Sequence, residues 1–241
     1  MNITLFQSKR LWLAALVLAL SPITQAGLLL DQSIVIFDEA QVRADVRVLN
    51  DSNENKLFAS VEPFLVTSPG EENEELVPLS SLDDPEFIVT PNKLIIEPGS
   101  NGIVRLLNMA EPAQTDVIYR VNFTPIEKPL ELQRADDGDA TRTGVQIVLA
   151  YQALVIIPPP EPKAIPEVTR SGKSVIFANS GNSNYKLTNG LQCNPQDPSD
   201  CRELIGARVY AGNKREVQLP FDGPLQFNMQ SVAGRQVLAV P

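Results

Sequence analysis

The sequence predicts an all-β protein of two domains, and three observations carry that prediction. Short β-branched and apolar runs recur from residue 33 onward, each closed by Gly, Pro, Asn, Asp or Ser. No stretch joins helical periodicity to helix formers over three turns. A stiff segment, Pro158-Pro159-Pro160-Glu161-Pro162, then divides the strand series in two, as an interdomain elbow does.

The elements follow in order. Lys9 and Arg10 precede an apolar run over 11–20, Ser21-Pro22 breaks it, and Thr24-Gln25-Ala26 supplies small residues before Gly27. This pattern predicts a secretory signal peptide over 1–26 and cleavage there. The run is shorter than the ~20 residues a spanning helix needs, so no membrane insertion is expected after removal. Strands are expected at 33–37, 42–49, 57–66, 87–90, 93–96, 102–108, 117–124 and 145–157. Within 42–49, Val42, Ala44, Val46 and Val48 share one face while Arg43, Asp45 and Arg47 take the other. Segments 68–86 and 127–143 are acidic and turn-rich and read as solvated loops. The first domain is thus 27–157, the hinge 158–166, and the second domain 167–241, with strands at 174–178, 185–188, 207–210, 215–219 and 236–240.

Composition excludes much chemistry. The 241 residues contain no histidine, which removes Ser-His and Cys-His nucleophile pairs and His-ligated metals. The net charge of -9 and the lack of a basic cluster argue against nucleic acid as a partner. Phosphate-binding glycine loops, nucleophile elbows and calcium-loop spacings are missing from the sequence, and Asp136-Asp137-Gly138-Asp139 lacks the ligand alternation that calcium requires. The expected protein binds rather than catalyses, with no cofactor and no metal. Cys193 and Cys201, with a run of turn-forming residues between them, are expected to form one structural disulfide after export, giving roughly 2.5 kcal/mol by the chain-entropy argument.

The run over 144–157 is long for a strand, whose usual length is ~5–6 residues. Val145, Ile147 and Leu149 alternate, with Tyr151 next. Such side chains either line the domain's own core or project beyond it toward another chain. Periodicity alone leaves both readings open.

Several blocks together resemble the periplasmic chaperones of chaperone–usher pilus assembly. They are Phe37-Asp38 with the strand that follows it, Phe87-Ile88-Val89-Thr90-Pro91, Leu94-Ile95-Ile96-Glu97-Pro98-Gly99-Ser100, Val104-Arg105-Leu106, Tyr119-Arg120-Val121-Asn122-Phe123, and the long strand ending in prolines. The resemblance implies two immunoglobulin-like β-sandwich domains in a boomerang arrangement and a periplasmic location. It also implies that the protein binds fimbrial subunits by donor-strand complementation and delivers them to an outer-membrane usher. It maps the donor residues onto Val145, Ile147, Leu149 and Tyr151. In usual members an Arg of the first strand and a Lys of the donor strand hold the pilin's terminal carboxylate; those places fall on Ile34 and Leu154, which cannot bind an anion. The Arg that usually precedes the hinge falls at Pro158. The pattern therefore resembles a divergent branch, with Arg120 as the replacement anchor and Arg142 as a second candidate.

Two other functions compete. A secreted structural pilin or adhesin of two β domains would carry an alternating apolar N-terminal extension, for which 27–31 leaves little room. A secreted enzyme or sugar-binding module would want aromatic platforms, yet the single Trp, Trp12, lies inside the signal peptide.

Overall fold

The computed structural model describes residues 27–38, 41–126 and 148–241. The expected signal peptide, the 127–143 loop with Arg142, and the donor residues Val145 and Ile147 lie outside the described residues.

Among the described residues ten strands precede the prolines: β1 (Leu28–Leu30), β2 (Ile34–Ile36), β3 (Arg43–Asn50), β4 (Leu57–Thr67), β5 (Glu75–Pro78), β6 (Phe87–Thr90), β7 (Lys93–Ile96), β8 (Asn101–Asn108), β9 (Val117–Pro125) and β10 (Tyr151–Ile157). Eight follow: β11 (Pro166–Ser171), β12 (Ser174–Asn179), β13 (Tyr185–Asn194), β14 (Asp197–Leu204), β15 (Arg208–Val209), β16 (Lys214–Gln218), β17 (Leu225–Ser231) and β18 (Gly234–Val240). The first group makes a sheet in the order β1-β3-β8-β6 and a second in the order β2-β10-β9-β4-β5, with β7 also on β4. The later group makes β11-β12-β16 and β14-β13-β17-β18, with β15 on β13. Each pair of sheets closes over its own apolar core, giving two immunoglobulin-like β-sandwiches.

Most inward side chains are those the alternation predicts, although Val42, expected on the same face, precedes β3 and is exposed. Val46 and Val48 on β3, Val104 and Leu106 on β8, and Val121 and Phe123 on β9 are sealed from solvent. Phe87 stacks on Tyr119 with ring centroids 4.2 Å apart. In the second core Phe177 meets Phe227 edge to face at 5.3 Å. A small third cluster lies between the sandwiches, where Val66, Ile118 and Ile156 meet Tyr210, with Leu154 packed against them.

Three sequence expectations need correction. The last strand of the first sandwich begins at Tyr151, and 148–150 lie outside any strand. Val148 and Leu149 are about half exposed there, having no core face to fill. Segment 68–86 is more than a loop. It holds β5, paired with the end of β4 so that Leu65 faces Val77 and Val66 faces Leu76, and a short 3-10 turn whose Leu79 is buried. Finally, the cysteines staple a β-hairpin rather than an irregular surface loop. Cys193 and Cys201 are bonded cross-strand partners of β13 and β14, and Asn194 already faces Asp197 across the turn. β14 is almost wholly exposed, which is why no apolar pattern marks it as a strand.

Candidate functional site

β10 pairs fully on one side but is only half covered on the other. Ala153 and Val155 point into the first core, with Tyr151 and Ile157 packed beside them, while Leu154 and Ile156 point outward. On one side β10 pairs with β9 along its whole length, Tyr151 opposite Phe123 and Ile157 opposite Val117. On the other side β2 runs parallel to it but meets only Leu154, Val155 and Ile156. The Leu154 N–H donates to the Ser33 carbonyl at 2.9 Å, and the Phe37 N–H donates to the Ile156 carbonyl at 2.9 Å. Strand alternation then turns the N–H and C=O of Gln152 to that same side, where no described strand meets them. Among the described residues the edge is therefore open over the first half of β10, continuing into exposed Val148 and Leu149.

Of the expected donor residues, Tyr151 opens the strand half-buried and Leu149 stands exposed just before it. Ile34 and Leu154 are register partners on β2 and β10. The two positions where the resemblance expects cations thus stand side by side, and both are apolar.

Arg120 lies on β9 opposite Leu154 and, on the other flank, Phe64 of β4. Its side chain is on the outer face of the sheet and is already engaged. Nη1 donates to Gln152 Oε1 at 2.8 Å, and Nη2 donates to Glu74 Oε1 at 3.1 Å. Gln152 passes the chain on, donating to Asn122 Oδ1 at 2.7 Å. The Glu74 carboxylate is half-buried beside the guanidinium, so the Arg120 fork has a resident anion.

A larger feature lies at the junction of the sandwiches. A cleft of about 860 Å³ is lined by Ile34, Ile36 and Ile157 on one side and by Asn184, Lys186 and Arg208 on the other. Lys186 and Arg208 are cross-strand partners on β13 and β15, and neither makes an ion pair among the described residues. Like charges directly opposite repel, so this pair favours an anion between or beside them. Burial draws the Arg208 guanidinium below its ordinary pKa, the cost of removing it from water. Its Nη1 donates to Asn184 Oδ1. Asn184 in turn binds Asp116, whose Oδ2 accepts the Asn184 backbone N–H at 2.6 Å and its Nδ2 at 2.7 Å. Asp116, immediately before β9, thereby ties the first sandwich to the second. Desolvation pushes its carboxyl above the usual range, and its Oδ1 has no hydrogen-bond donor among the described residues.

Sequence reasoning misses Lys186, Arg208, Asp116 and Glu74. The alternation Tyr185-Lys186-Leu187 is visible in the chain, but which way Lys186 faces depends on how the second sandwich meets the first.

No protein-family model matches this chain. A curated CFA/I fimbrial protein of Escherichia coli, itself described as a fimbrial subunit, is 28% identical over 138 residues, 57% of this chain. The matched stretch spans only 56%, little over half, of that relative's length. Among solved structures the class 5 fimbriae chaperone CfaA is similar at a TM-score of 0.59 and 19% identity, covering 89% of this chain and 99% of that one. The Escherichia coli chaperone DraB gives 0.61 at 16% identity, over 89% and 95%. A chain of the Salmonella enterica complex of SafA pilin with the SafB chaperone gives 0.64 at 12%, over 91% and 98%. The fold is that of the fimbrial periplasmic chaperones, as the sequence blocks imply.

Proposed function

We propose that this protein is a periplasmic chaperone that captures fimbrial subunits by lending them a strand and hands them to an outer-membrane usher. On this reading 1–26 is removed on export, 27–157 is the pilin-binding domain, 158–166 the hinge and 167–241 the second domain, and the protein has no enzymatic role. The observation that carries it is the half-covered edge of β10. A pilin that lacks a strand exposes an apolar groove and unpaired backbone groups. The Gln152 edge can supply ladder bonds, and the side chains preceding it can fill the groove. Burying Leu149 alone contributes about 1.5–3 kcal/mol before ordering costs. Val145 and Ile147 complete the alternating set.

A bound chain's terminal carboxylate would enter the cleft beside Ile34 and need a cation. The sequence offers Arg120 and Arg142 for that role. Arg208 and Lys186, free of ion pairs among the described residues, line the cleft itself, so they join the comparison. The structural-pilin alternative sits less well with the cores. Val46, Val104, Val121 and Phe123 are wholly enclosed, so the described part of the first sandwich has no groove awaiting a strand.

The test is co-expression in a periplasm with a tagged pilin that lacks its final strand. Leu149→Asp should abolish capture while the free protein melts as before; unaltered capture would remove the donor-strand reading. Arg208→Ala should weaken capture by about 2–5 kcal/mol if the cleft pair holds a buried carboxylate. Arg120→Ala takes the larger loss if the sequence expectation is correct.

A further inference from the structure

Between β4 and β5 the chain reads Ser68-Pro69-Gly70-Glu71-Glu72-Asn73-Glu74, a composition that suggests a solvated turn. The structure gives it internal order and a partner. Ser68 and Gly70 adopt left-handed backbone, φ 50° and 80°. The Glu71 N–H donates to the Ser68 carbonyl at 3.1 Å, and the Glu74 N–H donates to that of Glu71 at 3.2 Å. Glu74 Oε2 accepts the Gly70 N–H at 2.7 Å, which closes the turn on itself.

The closed turn rests on the second sandwich. Asn213 Nδ2 donates to the Pro69 carbonyl at 2.5 Å. Gly70 packs against the Tyr210 ring, so close that a Cβ there would stand 2.8 Å from a ring carbon. That glycine is required twice, by its φ and by the approach of the ring. The other oxygen of Glu74 accepts from Arg120, and Arg120 donates to Gln152 on the open edge of β10. A continuous path therefore runs from Asn213 through Pro69, Gly70, Glu74 and Arg120 to Gln152, alongside the Tyr210 cluster.

We propose that this hairpin is a strap that positions the open strand β10 against the second sandwich, with Gly70, Glu74 and Asn213 as positioning residues for strand lending. The proposal rests on the chaperone reading only in calling β10 the lending strand. The strap itself is tested without any pilin. It also gives Arg120 a role at odds with anchoring, since its fork holds the strap.

Amide exchange on the full-length protein reads the coupling. The N–H groups of Tyr151 and Ala153 face β9 and report how firmly β10 is held. Asn213→Ala, a change in the second sandwich, should raise their exchange about tenfold while β3 and β8 keep their protection. Gly70→Val, which drives a side chain into the Tyr210 ring, should do the same. In a Glu74→Gln background, where the ion pair to Arg120 is gone, adding Asn213→Ala should raise exchange little further, because both changes cut one path. Unchanged exchange at Tyr151 and Ala153 in Asn213→Ala overturns the proposal. So does a rise shared equally by β3 and β8, which would mark a general loss of stability, or full additivity of the two substitutions.

Discussion

Asp116 shows how one residue joins two sandwiches and makes the joint sensitive to pH. Its carboxylate satisfies two donors of Asn184, yet it is half-buried, and its other oxygen has no hydrogen-bond donor among the described residues. Desolvation outweighs those bonds and the attraction of Arg208, so the folded pKa lies above that of the unfolded chain. Between the two values the folded protein holds the extra proton. Stability from this group is therefore greatest at low pH, falls as pH rises through that window, and stays reduced above the folded value. Asp116→Asn keeps an acceptor for Asn184 and removes the buried charge. Melting of the variant and the parent should differ most at neutral pH, in favour of Asn, and converge below the ordinary carboxylate range; an advantage constant with pH would refute the assignment. Asp116→Ala should instead destabilise by about 1–3 kcal/mol, because the Asn184 donors lose their acceptor. Gln192 is a buried polar residue inside the second sandwich, donating to the carbonyls of Phe221 and Gly223 at 2.9 and 2.6 Å. Gln192→Leu should lower the stability of the second sandwich by a similar amount in denaturant titration.

At the scale of elements, β6 and β7 stand where the sequence places them, at 87–90 and 93–96, because each has an alternating face and a proline or glycine near its end. β5 and β14 are illegible in the chain. Glu75-Leu76-Val77-Pro78 is a strand only because the end of β4 lies beside it, and the polar run of β14 pairs through its backbone with a disulfide across the ladder. The site is legible in part. The departure at Ile34 and Leu154 can be read directly, whereas the occupied fork of Arg120 depends on a hairpin some 46 residues away in the chain. The open edge of β10 makes its own prediction. The Gln152 N–H should exchange rapidly in the free protein and become protected when a partner strand docks. The Leu154 N–H, held by Ser33, should be protected in both states. Equal protection of Gln152 with and without a captured pilin would mean that the partner docks elsewhere.

At the scale of the whole molecule, two cores meet through a seam far smaller than either. Its enclosed members are Val66, Ile118, Ile156 and Tyr210, supplemented by the Asp116–Asn184 bonds and the Asn213 contact with Pro69. Interfaces of this kind leave each sandwich to melt largely on its own apolar core. Calorimetry should therefore resolve two transitions, and perturbations deep in one core should move only one of them. Phe87→Ala removes a ring stacked on Tyr119 and seated against Phe37, a loss of about 3–5 kcal/mol borne by the first core. Reducing the Cys193–Cys201 bond relaxes only the β13–β14 hairpin, costing the second core roughly 2–3 kcal/mol. The two changes share no partner, so together they should lower both transitions by the amounts seen singly. Tyr210→Ala belongs to neither set, because its ring closes the seam and braces Gly70. It should shift both transitions by a smaller amount and weaken whatever cooperation joins them. A single transition displaced equally by Phe87→Ala and by reduction would show that the seam, despite its size, binds the sandwiches into one cooperative unit. The hinge would then transmit far more energy than its contacts contain.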